Sequence, residues 1–104
     1  MAFKSKPSQV GTSFAAVTAT VAAGTTATVI GFSLANTGSS NITVSAKMVK
    51  DNGDEGYLVK DATVLPGGAL VIIGGDQKHV LEEGDSIQAS ASIASADAIV
   101  SYLV

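Results

Sequence analysis

The only histidine of the chain, His79, is its first candidate for a catalytic or metal-binding residue. Asp76, Glu82 and Glu83 lie close to it in sequence, and imidazole together with carboxylates can bind a divalent metal. A strand over residues 77–81 would, however, alternate its side chains between two faces and so separate His79 from the ligands it would need. We therefore interpret His79 as an exposed side chain beside an acidic turn, without a metal-binding or catalytic role.

The second candidate is the acidic segment 51–56, with the sequence DNGDEG, which is similar to a calcium-binding loop. In such loops oxygen ligands occur at alternate positions, a glycine makes the sharp turn, and a glutamate completes the site. Here Gly53 occupies a ligand position, and Ala62 stands where the glutamate is expected. The segment is therefore predicted to be an acidic β-turn without a metal.

The sequence also lacks the motif that is typical of nucleophilic catalysis by serine. The serines are numerous, but there is no G-x-S-x-G motif, and a single histidine cannot be assigned to any one of them. The glycine pairs at 67–68 and 74–75 do not open a helix, so they are not phosphate-binding loops. The sequence thus predicts no catalytic, cofactor-binding or metal-binding residue and no cofactor, and the protein is expected not to be an enzyme.

Composition narrows the classes of partner. Charged residues make up 14% of the 104 residues and none is an arginine, which argues against a nucleic-acid partner. No apolar run reaches the roughly 18 residues of a membrane span, so no membrane partner is expected. The absence of cysteine leaves no disulfide framework. The acidic residues gather in predicted turns, where we expect them to be exposed.

Alternating polar and apolar residues, interrupted by glycine-rich turns, indicate β-strands throughout the chain. In two segments the apolar set is clear: Ile42, Val44, Ala46 and Met48 in one, and Ile87, Ala89, Ala91 and Ile93 in the other. About eight strands are predicted, at residues 14–22, 26–35, 41–50, 57–65, 69–74, 77–81, 86–93 and 98–104. We predict an all-β fold, an antiparallel β-sandwich of the jelly-roll type, with residues 13–104 as a single domain after an extended N-terminal arm at residues 1–12.

An internal similarity accompanies this pattern. Residues 20–31 and 63–74 share a Thr-Val pair, a glycine turn and an Ile-Gly pair at the same spacing. Two similar four-stranded halves would produce it, and so would a chance likeness between two hairpins that both turn at glycine.

Two of the predicted strands are apolar on both faces. Residues 69–73 contain the run LVII, and residues 98–104 also have apolar side chains at successive positions. Because one sandwich has only one inner face, the second face would leave a hydrophobic patch exposed. We predict that this patch is partly buried against another protein chain; the alternative is that loops or the arm cover it. The suggested interface residues are Val71, Ile73, Ile99 and Leu103.

The C-terminal half resembles the small β-sandwich virion structural proteins of tailed bacteriophages. The matching segments are 64–68 (VLPGG), 80–87 (VLEEGDSI) and 101–104 (SYLV), with Glu83 in place of a small residue or proline. The resemblance covers roughly residues 57–104. It implies a non-enzymatic virion protein, made in the cytoplasm of the host bacterium.

Within that family we favour a capsid decoration or accessory protein, because the chain is a single compact domain without the coiled-coil or repeat segments that a fibre needs. A collar, connector or tail/fibre component is the alternative. The implied partners are the protein itself, as a homo-oligomer and specifically a trimer, and other virion proteins such as the major capsid protein. A function of another class also stays open: a carbohydrate-binding β-sandwich module that stacks sugars on Tyr57 or Tyr102.

Overall fold

The computed structural model describes residues 2–18, 21–74 and 77–104. These residues form nine strands and no helix, which confirms the all-β prediction. The strands are β1 (Phe3–Val10), β2 (Ala15–Ala16), β3 (Ala27–Asn36), β4 (Ile42–Val49), β5 (Glu55–Val64), β6 (Ala69–Ile73), β7 (His79–Leu81), β8 (Ser86–Ala91) and β9 (Ala96–Leu103). In the ranges described, no helix is long and apolar enough to cross a membrane.

The strands form two antiparallel sheets. The five-stranded sheet has the order β1, β9, β3, β6, with β7 paired to the beginning of β3 on the same side as β6. The four-stranded sheet has the order β2, β8, β4, β5. The pairs are nested: β1 with β9, β2 with β8, β3 with β6 and β7, and β4 with β5. The chain therefore folds like one long antiparallel hairpin whose two arms pass repeatedly between the sheets.

One face of each sheet is buried in a shared hydrophobic core, as in a β-sandwich. The predicted alternation holds throughout β8 and in the first half of β4. In β4, Ser45 is also buried between Val44 and Ala46, and Met48 is only half-buried. Ile93 was predicted to continue this pattern, but it is exposed because β8 ends at Ala91. The largest buried apolar side chains are Val29, Phe32, Leu34, Ile73, Leu81 and Val100 from the five-stranded sheet, and Ile42, Val44 and Ile87 from the four-stranded sheet.

The N-terminal segment differs from the prediction. Most of the predicted arm is the edge strand β1, which is paired with β9 from Phe3 to Val10. The strand predicted at residues 14–22 is reduced to β2; its residues Ala19 and Thr20 lie outside the described residues.

A proline inside β1 is tolerated because of its position on the edge. Ala2 and Val104 exchange both backbone hydrogen bonds, with N···O distances of 2.7 and 2.9 Å. In antiparallel pairing such pairs alternate along the strands, so the odd-numbered residues of β1 direct their backbone groups away from β9. Pro7 belongs to this odd-numbered set, and its missing N–H removes a donor from the free edge without weakening the pairing.

The internally similar segments share one turn geometry. Gly24 and Gly67 each have a φ of 74°, which favours glycine. In each turn a backbone N–H donates three residues back: Thr25 to Ala22 at 3.2 Å, and Gly68 to Leu65 at 2.9 Å. The strands that follow, β3 and β6, are neighbours in the five-stranded sheet. The similarity in sequence thus corresponds to a repeated unit of turn and strand.

Candidate functional site: an exposed apolar sheet face

The outer face of the five-stranded sheet carries several large apolar side chains that are exposed. Strand pairing arranges its side chains in rows that cross the sheet. Two of these rows are largely apolar: Pro7, Ile99, Ser33 and Val71 in one, and Phe3, Leu103, Thr28 and Val80 in the other. Four of these side chains are more than half exposed, at 76% for Phe3, 67% for Val71, 52% for Val80 and 51% for Ile99. We call these two rows, with the small residues between them, the apolar face.

The apolar face is nearly free of charge and has few bulky obstructions. Between its two rows lie only Ser5, Ser101 and Gly31, so the middle of the face is shallow. A fourth row beyond Val71 consists of Gln9, Asp97, Ala35 and Ala69. Asp97 is the one charged residue in the four rows. Such a surface can bind another apolar surface without having to desolvate many charges.

The chain itself does not cover this face in the described residues. The predicted alternative was that the N-terminal arm folds across the patch. Instead β1 extends the sheet sideways, and its residues Phe3 and Pro7 add to the apolar face. Strand β1 therefore widens the apolar face and does not cover it.

The four suggested interface residues are divided between the face and the core. Val71 and Ile99 are exposed on the apolar face, and Leu103 is half-buried there. Ile73 was wrongly placed with them, since only 1% of it is exposed and it belongs to the core. The cause is a bulge: Ile73 pairs with Phe32 and Val71 pairs with Ser33, so Ile72 is an extra residue that reverses the alternation.

The outer face of the four-stranded sheet has a different character, with aromatic and charged side chains together. Tyr57 is 53% exposed, and its ring centroid lies 6.2 Å from that of Phe14 in an edge-to-face arrangement. The Lys47 ammonium lies 4.3 Å from the Phe14 ring centroid and 3.1 Å from Glu55 Oε2. By contrast Tyr102, the other aromatic suggested for sugar stacking, is half-buried and packs against the core.

A buried carboxylate joins two turns at one end of the sandwich. Asp85 accepts hydrogen bonds from the backbone N–H groups of Asp51, at 3.0 Å, and Glu82, at 2.9 Å, and from the Lys50 ammonium. The hydrogen bond from Lys50, followed by that from the Glu82 N–H, holds the pKa of Asp85 below its ordinary value. The same hydrogen bond raises the pKa of Lys50. The expectation that all turn acids are exposed is therefore wrong for Asp85, which is 2% exposed.

A buried amide has the corresponding role at the opposite end. Asn36 Nδ2 donates to the carbonyl oxygens of Ser40, at 2.8 Å, and Val64, at 3.0 Å. Its Oδ1 accepts from the backbone N–H of Gly38 at 3.0 Å and from the Ser95 hydroxyl at 3.4 Å. These bonds tie together the loops after β3, β5 and β8. The strand predicted at residues 26–35 ends just before Asn36, which was given no role. Its place at the end of a strand, where Asn often bonds nearby backbone, was the available signal.

The two sets of candidate metal ligands from the sequence are the segment 51–56 and the residues near His79. The segment 51–54 forms a turn in which Asn52 Oδ1 accepts from the backbone N–H of Asp54 at 2.9 Å. His79 lies in β7 with Leu81 on the inner side and Val80 on the outer side, as alternation predicted. It was predicted to be exposed, but it is half-buried because it pairs with the core residue Val29. Asp76 is outside the described residues. Among the residues that are described, no three His, Asp or Glu side chains come together as metal ligands would.

Comparison with known proteins adds no relative: no family model, no curated protein and no solved structure matches this chain.

Proposed function

We propose that this protein is a non-enzymatic structural protein of a bacteriophage virion, most simply a capsid decoration or accessory protein, that self-associates and docks through its apolar face. The observation that carries the proposal is the pair of apolar rows on the five-stranded sheet. They form a nearly uncharged surface that the described part of the chain leaves exposed. Exposed apolar patches are among the features that mark protein–protein interaction sites. The phage resemblance of residues 57–104 supplies the virion context.

The fold we propose in finer detail is a jelly roll. Its support is the nested pairing of first with last strand, second with second-last, and so inward to β4 with β5. When β6 and β7 are counted as one interrupted strand, eight strands remain, four in each sheet. A jelly roll suits a virion subunit because it presents two broad sheet faces on one small domain. Fold alone does not assign the function, which rests on the face itself.

Two features favour contact through the face rather than through a strand edge. Pro7 removes an N–H from the free edge of β1, and Lys4 and Lys6 on the same strand add charge, both of which discourage edge-to-edge pairing. The face spans four strands spaced about 4.8 Å apart and five residues of about 3.3 Å each, or roughly 320 Å² per copy. Two copies would bury about 640 Å², which is the size of a weak interface rather than of a stable one.

An interface of that size suits a subunit whose binding is strengthened by many neighbours in a particle. Packing of the face on its own copy would create a two-fold pair, whereas the trimer implied by the family needs the face to meet a different surface of the neighbour. Docking on the major capsid protein would use the same face, and a collar, connector or tail position is the alternative location.

The test combines oligomeric mass with location. Sedimentation equilibrium of the purified protein should give a dimer or trimer at micromolar to millimolar concentration, and Ile99→Lys should give a monomer because it places a charge in the apolar row. Ile93→Lys is the matched control: Ile93 is similarly exposed, at 47%, but lies in the loop after β8, and this variant should associate like the wild type. Mass spectrometry of purified phage particles should find the wild-type protein in them. A monomeric wild type that is also absent from particles would contradict the proposal.

A further inference from the structure

Tyr57 is held in one orientation on the outer face of the four-stranded sheet. It pairs with Lys47 across β4 and β5, and the edge-to-face contact with Phe14 fixes one side of its ring. Phe14 is itself held by the Lys47 ammonium, which also bridges to Glu55. The exposed aromatic ring is therefore preorganised, so a ligand that stacks on it would lose little entropy in fixing the side chain.

Hydrogen-bonding groups lie on the same sheet as this ring. The Lys60 ammonium lies 5.4 Å from the Tyr57 ring centroid on an exposed and flexible side chain. Gln88 lies beside Lys47 on the neighbouring strand. Asp61 is also exposed, and Ser45 fixes it: its N–H donates to Ser45 Oγ at 2.9 Å, and the Ser45 hydroxyl donates to its carboxylate at 3.4 Å.

The backbone at Asp61 is unusual. Its φ of 52° is the only positive φ at a non-glycine residue in the described part of the chain. The register of β5 shifts between Val59 and Ala62, so Lys60 and Asp61 form a bulge opposite the middle of β4. Bulges of this kind re-aim side chains, and here the bulge places an amine and a carboxylate on the same edge as the Tyr57 ring.

The charges of this group cancel. Lys47 forms an ion pair with Glu55, and Lys60 and Asp61 are neighbours in sequence, so the group contains two cations and two anions. Such a surface does not select a phosphate or an acidic polymer. An exposed aromatic ring presents an apolar platform, and the amide, amine and carboxylate groups can exchange hydrogen bonds with hydroxyl groups. The ligand that combines a flat C–H surface with many hydroxyl groups is a sugar ring.

We propose that the outer face of the four-stranded sheet binds a neutral saccharide, stacked on Tyr57 and hydrogen-bonded by Lys60, Asp61 and Gln88. Lys60 moves from above the ring to make room for the sugar. This face lies on the opposite side of the sandwich from the apolar face, so a copy that is assembled through one sheet still presents the other. The proposal does not depend on the virion function, because an unassembled copy has the same face.

The experiment is an NMR titration of the full chain, labelled with nitrogen-15, with neutral hexasaccharides at millimolar concentration: maltohexaose, cellohexaose, mannohexaose and chitohexaose. At least one probe should shift the amide signals of β5 around Tyr57 and Lys60. Tyr57→Ala should weaken binding at least about tenfold, equivalent to about 1.4 kcal/mol, whereas Tyr57→Phe should stay close to the wild type because it keeps the ring.

Phe3→Ala is the matched control, since it removes an exposed aromatic ring from the other sheet and should leave binding unchanged. The amide spectrum of each variant reports whether it is folded. The absence of shifts with all four probes would overturn the proposal. Shifts centred on the apolar face, or equal binding by folded Tyr57→Ala, would also overturn it.

Discussion

Val71 and Ile99 pair with the same residue, Ser33, from opposite sides. The central strand β3 thus separates two exposed apolar side chains by one small, half-buried hydroxyl. Pro7 continues this row on the far side of Ile99. The row spans the full width of the sheet, and Ser33 is its only polar member, so this position is a sensitive one for association through the apolar face.

Replacement of Ser33 by valine should strengthen self-association. The valine would fill the gap between the two apolar neighbours, and each buried methylene contributes about 0.8 kcal/mol. We expect the dissociation constant from sedimentation equilibrium to fall about tenfold. Ser90→Val is the matched control, because Ser90 is a half-buried serine on the outer face of the four-stranded sheet. An equal effect of both substitutions would show that general hydrophobicity, and not this row, controls association.

Val71→Lys and Ile73→Lys should differ strongly in their effect on stability. Val71→Lys alters an exposed side chain and should change the free energy of unfolding by only about 0.5 kcal/mol, while weakening association. Ile73→Lys would bury an unpaired ammonium in the core, so it should cost at least about 3 kcal/mol. Urea unfolding monitored by circular dichroism measures both. Similar losses for the two variants would contradict the bulge at Ile72.

Loss of the Asn36 amide should destabilise the end of the sandwich where three loops meet. Asn36→Ala leaves the buried carbonyl of Val64 without its side-chain donor and the Gly38 N–H without its acceptor. We expect a loss of about 2–4 kcal/mol in the free energy of unfolding. Asn41→Ala, at an exposed position in the same loop region, should change it by about 0.5 kcal/mol or less. Equal effects in urea unfolding would argue against the role assigned to Asn36.

Acid should destabilise the protein partly through Asp85. Because its pKa is lowered in the folded state, its ionised form contributes stability above the ordinary carboxyl pKa of about 4. That contribution is lost as the pH falls through the lower, folded-state pKa. The pKa of Lys50 is raised in the folded state, so its ammonium group also contributes to stability. That contribution is lost only at high pH, as the pH rises through the raised pKa.

Asp85→Asn should therefore lower the melting temperature at neutral pH and reduce the further fall between neutral pH and about pH 3. Calorimetry over this pH range measures the difference. Asp54→Asn replaces an exposed acid in the adjacent turn and should keep the wild-type pH dependence. An unchanged acid response in Asp85→Asn would show that the carboxylate is not linked to stability.

The sequence predicted the elements of the four-stranded sheet well where side chains alternate strictly. Ile42 and Val44 are buried and Thr43 faces out, because a strand of period two with one apolar set has only one stable orientation against a core. The sequence was less informative where the backbone departs from this two-residue alternation. Neither the bulge at Ile72 nor that at Asp61 has a proline or glycine to mark it. Because the bulge at Ile72 was not recognised, Ile73 was predicted to lie at an interface, whereas it lies in the core.

The candidate sites were only partly predictable for a related reason. Val71, Ile99 and Tyr57 were selected because exposed apolar or aromatic side chains are visible in a pattern. Asp85 and Asn36 were missed because their burial depends on partners from distant turns, for example Val64 and Lys50, which local sequence does not bring together.

By itself the sequence determined that this chain forms β-strands separated by glycine turns, that it is poor in charge, and that two strands have too many apolar residues for one inner face. These properties depend on local alternation and composition, which act over a few residues. Only the tertiary structure decided that β1 is an edge strand beside β9, that the strands pair in nested order, and which apolar side chains remain exposed. Pairing between strands far apart in sequence follows from the packing of whole faces against each other, and that packing energy is not encoded in any single segment.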